Sequence, residues 1–216
     1  VLSLALGSNR DDVLEHSFIS FLAPGLIAMS ILTQSFSHSV SSLMISKIQG
    51  NIVDMLYAPL SAFEVSMAII FAAITRSFLI AIISVVVFSI IVEMPINKFF
   101  YILVFSFLGS FILGSLGFIT GLWAEKFDHT ATITNFVITP LSFLSGAFYS
   151  IEKLPQFFQT ISHINPFFYM IDGFRYGFLG VSDGSIKIGI IYLTFLSLVM
   201  GFIAYYLYKI GYKIKS

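Results

Sequence analysis

Arg76 is a lone cation in a long apolar run, and it heads the short list of residues in this chain that could do chemistry. It lies twelve positions into the run that begins at Val65, about 18 Å from that end at 1.5 Å per residue. An arginine at the centre of a membrane helix costs about 2.5–3.5 kcal/mol to insert, so Arg76 must face protein or a water-filled cavity. Two roles are open to it: attraction for an anionic lipid or sugar-phosphate group, or a structural contact to backbone carbonyls or to Asn135. Asp172 and Arg175, spaced i and i+3, can neutralise each other on one helical face. His16, His38, His129 and His163 are scattered without facing acids, which suits polar or interfacial positions better than metal ligation. An intramembrane hydrolase would need Ser110 or Ser145 beside a histidine at the same depth, and none is so placed. The chain has no HExxH, no phosphate-binding G-x-x-x-x-G-K-[ST] and no cysteine, so it cannot hold ATP in a P-loop and has no thiol chemistry.

The elements that position these residues are membrane helices. The chain is 57% hydrophobic and 10% charged, which no ordinary soluble domain matches. Its net charge of zero, with no basic cluster, excludes nucleic acid as a partner. A span needs about 20 mostly apolar residues, and five stretches qualify: Phe18 to about Ile45, Val65 to Val92, Phe99 to Ala124, Thr130 to Ser150, and Ile188 to Tyr208. The third carries Gly109, Gly114, Gly117 and Gly121, a small-residue series that lets helices pack closely. Leu154 to Ile171 is nearly long enough to be a sixth. Its Pro155, Gln156, Gln159, His163, Asn165 and Pro166 would leave polar groups facing lipid, so it is expected to be interfacial or re-entrant.

Basic residues balance across the membrane, with Lys47, Lys126 and the tail lysines Lys209, Lys213 and Lys215 set against Arg10, Lys98, Lys153, Arg175 and Lys187. The compact basic tail decides the orientation and places the C-terminus in the cytoplasm. The opening VLSLALGSN, which starts on Val1, reads as the tail of a segment whose beginning is missing.

Between the first two spans, residues 46–64 (SKIQGNIVDMLYAPLSAFE) place Ile48, Ile52, Met55 and Leu56 at helical spacing, with Lys47, Asn51 and Asp54 toward the other side. This describes a short amphipathic helix that Pro59 stops. It could lie inertly in the headgroup plane or act as a lever pushed by a cytosolic partner. The order of a basic residue, Gly50-Asn51, an amphipathic turn with Leu56, Ala58-Pro59-Leu60 and then Glu64 resembles the coupling-helix region of the ABC-2 type permeases, the membrane subunits of bacterial ABC exporters. A second match lies in FLSGAFYSIEKLPQFFQTISHINPFFYMIDGFRYGFLG, which resembles the end signature of that family, with Asn165, Pro166, Tyr169, Asp172 and Arg175 in register. One departure is Val53, where family members often place an acid; here Asp54 stands beside it.

The resemblance covers essentially the whole chain. It implies one all-α transmembrane domain over residues 1–216, with five of six expected spans, an amphipathic coupling helix at 46–64 and re-entrant helices in the outer leaflet at 151–187. It implies a cytosolic ABC ATPase docked on Lys47, Gly50, Asn51, Asp54, Leu56, Pro59 and Glu64, with ATP and magnesium held by that partner and no cofactor on this chain. It further implies a second permease copy, a bacterial inner-membrane location among lipids, and an extracytoplasmic gate at Asn165, Pro166, Tyr169, Asp172 and Arg175. Asn165-Pro166 should break one helix and start the next, and the aromatics that follow should form an interfacial belt. A stand-alone secondary transporter or channel is the nearer rival. It calls for paired ionisable residues at the midplane, where Arg76 stands alone.

Overall fold

A computed structural model describes residues 18–151 and 154–213 of the chain; the opening VLSLALGSN, Arg10, His16, Lys153 and Lys215 lie outside them. The described residues form helices joined by turns. α1 (Phe18–Ile48) leads through α2 (Ile52–Tyr57) to α3 (Ala62–Ile91); α4 (Phe99–Trp123) is followed by α5 (Phe127–Ile133), a π-helical turn at Thr134–Ile138 and α6 (Thr139–Phe143); α7 (Gln156–Ile164) and α8 (Pro166–Leu179) precede α9 (Ile186–Lys209). Of these, α1, α3, α4 and α9 are long and apolar enough to cross a bilayer.

The bundle is built on the α1–α4 contact, and the glycine series of α4 makes that contact possible. A Cβ on Gly117 would stand 2.5 Å from the Phe36 carbonyl oxygen, and one on Gly121 would stand 2.9 Å from the Leu43 Cβ. Only glycine lets the two backbones approach so closely. At mid-height three serines join α1, α3 and α4: Ser35 Oγ donates to the Ser110 carbonyl at 2.7 Å, and the Ser77 and Ser110 hydroxyls share a hydrogen bond at 3.2 Å. This buried knot satisfies its own polar groups and fixes the depth of the three helices relative to one another.

The fourth expected span, Thr130 to Ser150, is helical over 127–143, about 25 Å at 1.5 Å per residue, and unwinds beyond. Pro140 explains the π-helical turn. It has no N–H to donate, and its ring crowds the carbonyl four residues earlier. The backbone relieves the clash by widening, so that the Thr139 N–H reaches the Thr134 carbonyl, which also accepts from Thr139 Oγ1 at 2.9 Å. Helix ends for good before Gly146, which adopts a left-handed φ of +73°.

The stretch expected to be interfacial divides into two unlike helices. α7 exposes Phe157, Phe158 and Ile164, as a surface helix should. α8 is a core helix instead of an interfacial belt: Phe167, Phe168, Phe174 and Phe178 are all buried. Gly173 and Gly177 bring its backbone against Phe105 and Ile102 of α4.

Candidate functional site

Two sets of residues singled out in the sequence lie at opposite ends of the bundle. At the α2 end, Gly50 turns the chain with a φ of +77°, and the six-residue α2 follows. Ala58 closes it by donating its N–H to the Asp54 carbonyl at 3.0 Å. Within α2, Ile52 is buried and Met55 half-buried, whereas Val53, Leu56 and Tyr57 are exposed. The apolar face expected at Ile48, Ile52, Met55 and Leu56 is therefore split, with Ile48 and Leu56 turned outward. Val53, Leu56 and Tyr57 of α2, with Leu60 and Phe63 just beyond it, are exposed apolar side chains beside the surface residues Asn51 and Asp54.

Two of the residues expected to meet a partner are engaged within the chain. Lys47 Nζ donates to the Leu122 and Ala124 carbonyls at 2.8 and 2.9 Å, capping the C-terminal end of α4. Glu64 closes a capping box at the start of α3: its carboxylate accepts from the Ser61 N–H and hydroxyl, both at 2.7 Å, and its N–H donates to Ser61 Oγ. The Ser-x-x-Glu spacing carried that signal in the sequence. Asn51 Nδ2 reaches only Gln49 Oε1, at 3.2 Å. Nearby, Lys213 and Glu125 pair at 3.0 Å and tie the α4–α5 turn to the end of α9. The lysine holds the Glu125 carboxyl below the usual glutamate range.

At the other end, Asn165 and Pro166 do what their order predicts. Asn165 caps α8 by accepting from the Phe167 N–H, with Pro166 in the first turn. Asp172 and Arg175 do not form the expected ion pair. Asp172 accepts from the backbone N–H groups of Asp183 and Gly184, at 2.9 and 3.0 Å. Arg175, fully buried, donates Nη2 to the Gly146 carbonyl at 2.8 Å and lies over the Phe21 ring. Backbone groups, rather than each other, are the hydrogen-bond partners of the two side chains. Tyr169 packs edge-on against Tyr192, whose hydroxyl donates to the Ile164 carbonyl.

These contacts converge on one segment. Asn165 Nδ2 donates to the Leu141 carbonyl at 2.8 Å, Ser162 Oγ to the Leu144 carbonyl at 3.1 Å, and Arg175 to Gly146. The Asp183 carboxylate accepts from Ser150 Oγ and the Ile151 N–H. The backbone groups orphaned where α6 stops are thus taken up, one after another, by α7, α8 and the turn before α9. Ser162 and Asp183 escaped sequence reasoning, since nothing local marks a side chain whose partner lies so far along the chain.

Arg76 stands apart from both ends. It is exposed on α3 and makes no hydrogen bond or ion pair among the described residues, and its charge bears on His38 of α1 rather than on Asn135. His129 and His163 pack on the rings of Trp123 and Phe168, and no three acids or histidines converge among the described residues. Ser110 and Ser145 hydrogen bond to serine hydroxyl and backbone carbonyl groups, with neither histidine nor carboxylate beside them.

Comparison with known proteins places the chain among membrane transport proteins. Residues 2–179 match the family model described as ABC-2 type transporter. The chain is 33% identical over 202 residues to the inner membrane transport permease YadH of Escherichia coli K12, covering 94% of this chain and 77% of that protein. Nodulation protein J of Neorhizobium galegae is 25% identical, over 87% of this chain and 73% of its own length. The homologous protein of Rhizobium leguminosarum bv. viciae is 27% identical, over 81% and 69%. With a family model matched over residues 2–179 and a transport permease 33% identical over 94% of its residues, the chain belongs to the ABC-2 type transporter family.

Proposed function

We propose that this chain is the membrane-path subunit of an ATP-driven exporter, energised by a separate cytosolic ATPase that docks on α2. The exposed apolar side chains of Val53, Leu56, Tyr57, Leu60 and Phe63 carry the reading. Apolar and aromatic side chains on a short helix between two spans suit a protein groove, and Asp54 and Asn51 supply polar contacts at its edge. Lys47 and Glu64 hold the ends of α4 and α3, so a push on α2 passes into those helices. ATP and magnesium belong to the partner.

The α2 end and the C-terminus are cytoplasmic in this reading, in a bacterial inner membrane. A second copy of the chain completes the path, which accounts for an arginine left open on the face of α3. The 127–143 helix is the remaining span. α7 and α8 re-enter the outer leaflet and close the path with Asn165, Pro166, Tyr169, Asp172 and Arg175 as the bolts. The cargo is an amphiphile such as a drug, a lipid or a lipid-linked saccharide.

Co-purification in mild detergent tests this. A P-loop ATPase should come down with the full-length protein and be lost with Leu56→Asp or Tyr57→Asp, while both variants stay monodisperse. If no ATPase accompanies the intact protein, the stand-alone transporter replaces this reading.

A further inference from the structure

Along one side of α1, half-buried Ser30, Gln34, His38 and Ser41 and exposed Ser37 recur at helical spacing, where a lipid-facing helix would carry leucine or valine. Gln34, Ser37 and His38 make no hydrogen bond among the described residues. Arg76 is exposed on α3, which packs along α1, and has no salt bridge among the described residues. Ser35 and Ser77, neighbours in sequence to Gln34 and Arg76, meet in the serine knot at Ser110. Ser110 lies about 17 Å from one end of α4 and about 20 Å from the other, so this polar face sits near mid-membrane. Each unpartnered polar group would cost several kcal/mol against hydrocarbon, and the arginine about 2.5–3.5 kcal/mol on its own. Such a face persists only where water, a polar ligand or a polar protein surface meets it.

We infer that Gln34, Ser37, His38 and Arg76 line the transport path and bind the anionic headgroup of an amphiphilic cargo. The inference rests on the permease reading and gives that cargo a charge. Arg76 supplies the attraction. Gln34, Ser37 and His38 supply neutral hydrogen-bonding groups that hold an anion or an adjoining polyol without competing for its charge. No carboxylate faces the group to neutralise Arg76 in place of a ligand: the only salt bridge among the described residues is Lys213–Glu125, and it lies at the α2 end.

The 216 residues contain no cysteine, so Ser37→Cys introduces the only thiol among them, and the parent preparation treated alike supplies the background to be subtracted. The full-length protein with its co-purifying ATPase, reconstituted in vesicles, is treated with a negatively and a positively charged methanethiosulfonate, each rate being normalised to that with a free thiol. The anionic reagent should react on the order of tenfold faster, because a cation in a low-dielectric path concentrates anions. Arg76→Gln in the same background should bring the ratio near one. Dodecyl phosphate should protect the thiol, whereas dodecylphosphocholine and inorganic phosphate at equal concentration should not. Gln34→Cys serves if Ser37→Cys is not monodisperse.

No reaction with either reagent would mean that lipid or protein covers this face, and the inference would fall. Equal normalised rates would remove the anion preference, and equal protection by inorganic phosphate would remove the amphiphile. ATPase co-purification, scored on the same preparation, separates these failures from failure of the permease reading.

Discussion

Arg175 donates Nη2 to the carbonyl of Gly146 at 2.8 Å, fastening the end of a broken span to a helix far along the chain. A guanidinium stacked on an aromatic ring while it donates to a carbonyl is not replaced by lysine. Arg175→Ala and Arg175→Lys should each lower the thermal midpoint of the detergent-solubilised protein. The alanine variant should lose about 1–3 kcal/mol for the carbonyl left without a donor. A midpoint unchanged in both variants would mean that the segment holds without the arginine.

Asp172 adds a pH signature to the same clamp. Burial pushes its carboxyl up to about 6, against the pull of Arg175 and of the Asp183 and Gly184 N–H groups, with Asp183 adding repulsion and Tyr169 close by. The folded state therefore holds this proton more tightly than the unfolded chain does. The resulting stability is fully present below the ordinary aspartate range near 3.8 and is lost as pH rises through about 6. Thermal midpoints measured between pH 5 and 7 should fall with rising pH in the parent and fall less in Asp172→Asn.

Lys47 separates the scaffold of the α2 end from its docking surface. Lys47→Met removes the cap on the Leu122 and Ala124 carbonyls and should cost about 1–2 kcal/mol of stability. It should still retain the ATPase, which Tyr57→Asp should release without loss of stability. Quantifying the bound ATPase beside the thermal midpoint for both variants checks this.

Gly117 tests the backbone contact at the centre of the bundle. Gly117→Val places side-chain atoms where the Phe36 carbonyl already stands and should abolish monodisperse protein, because neither helix backbone can move without breaking the serine knot. Recovery of normal yield would show that α1 and α4 tolerate separation.

The four long spans were legible because apolar runs of that length have one solution in a membrane. Asn165-Pro166 was legible because capping and ring geometry are local. In the fourth stretch, Thr130 to Ser150, the π-helical turn that Pro140 forces and the unwinding before Gly146 were not, since hydropathy counts apolar residues and registers neither. Asp172 and Arg175 misled for a related reason: their i, i+3 spacing shows that they can meet, while the carbonyls and N–H groups that win them arrive from residues far along the chain. The polar face of α1 was present as a three-and-four spacing of Ser30, Gln34, Ser37, His38 and Ser41, hidden because a count of apolar residues along a span does not register which side they occupy.

The most direct measurement is site-directed cross-linking from Tyr57, which is 85% exposed at the end of α2. With Tyr57→Cys as the only thiol in these residues, a short photoactivatable thiol reagent should yield a covalent adduct between the full-length protein and a P-loop ATPase. The same reagent on Phe195→Cys, exposed on α9 away from α2, should yield none. An adduct with lipid alone from Tyr57→Cys would show that α2 lies in the headgroup plane, and the coupling role would fall with it.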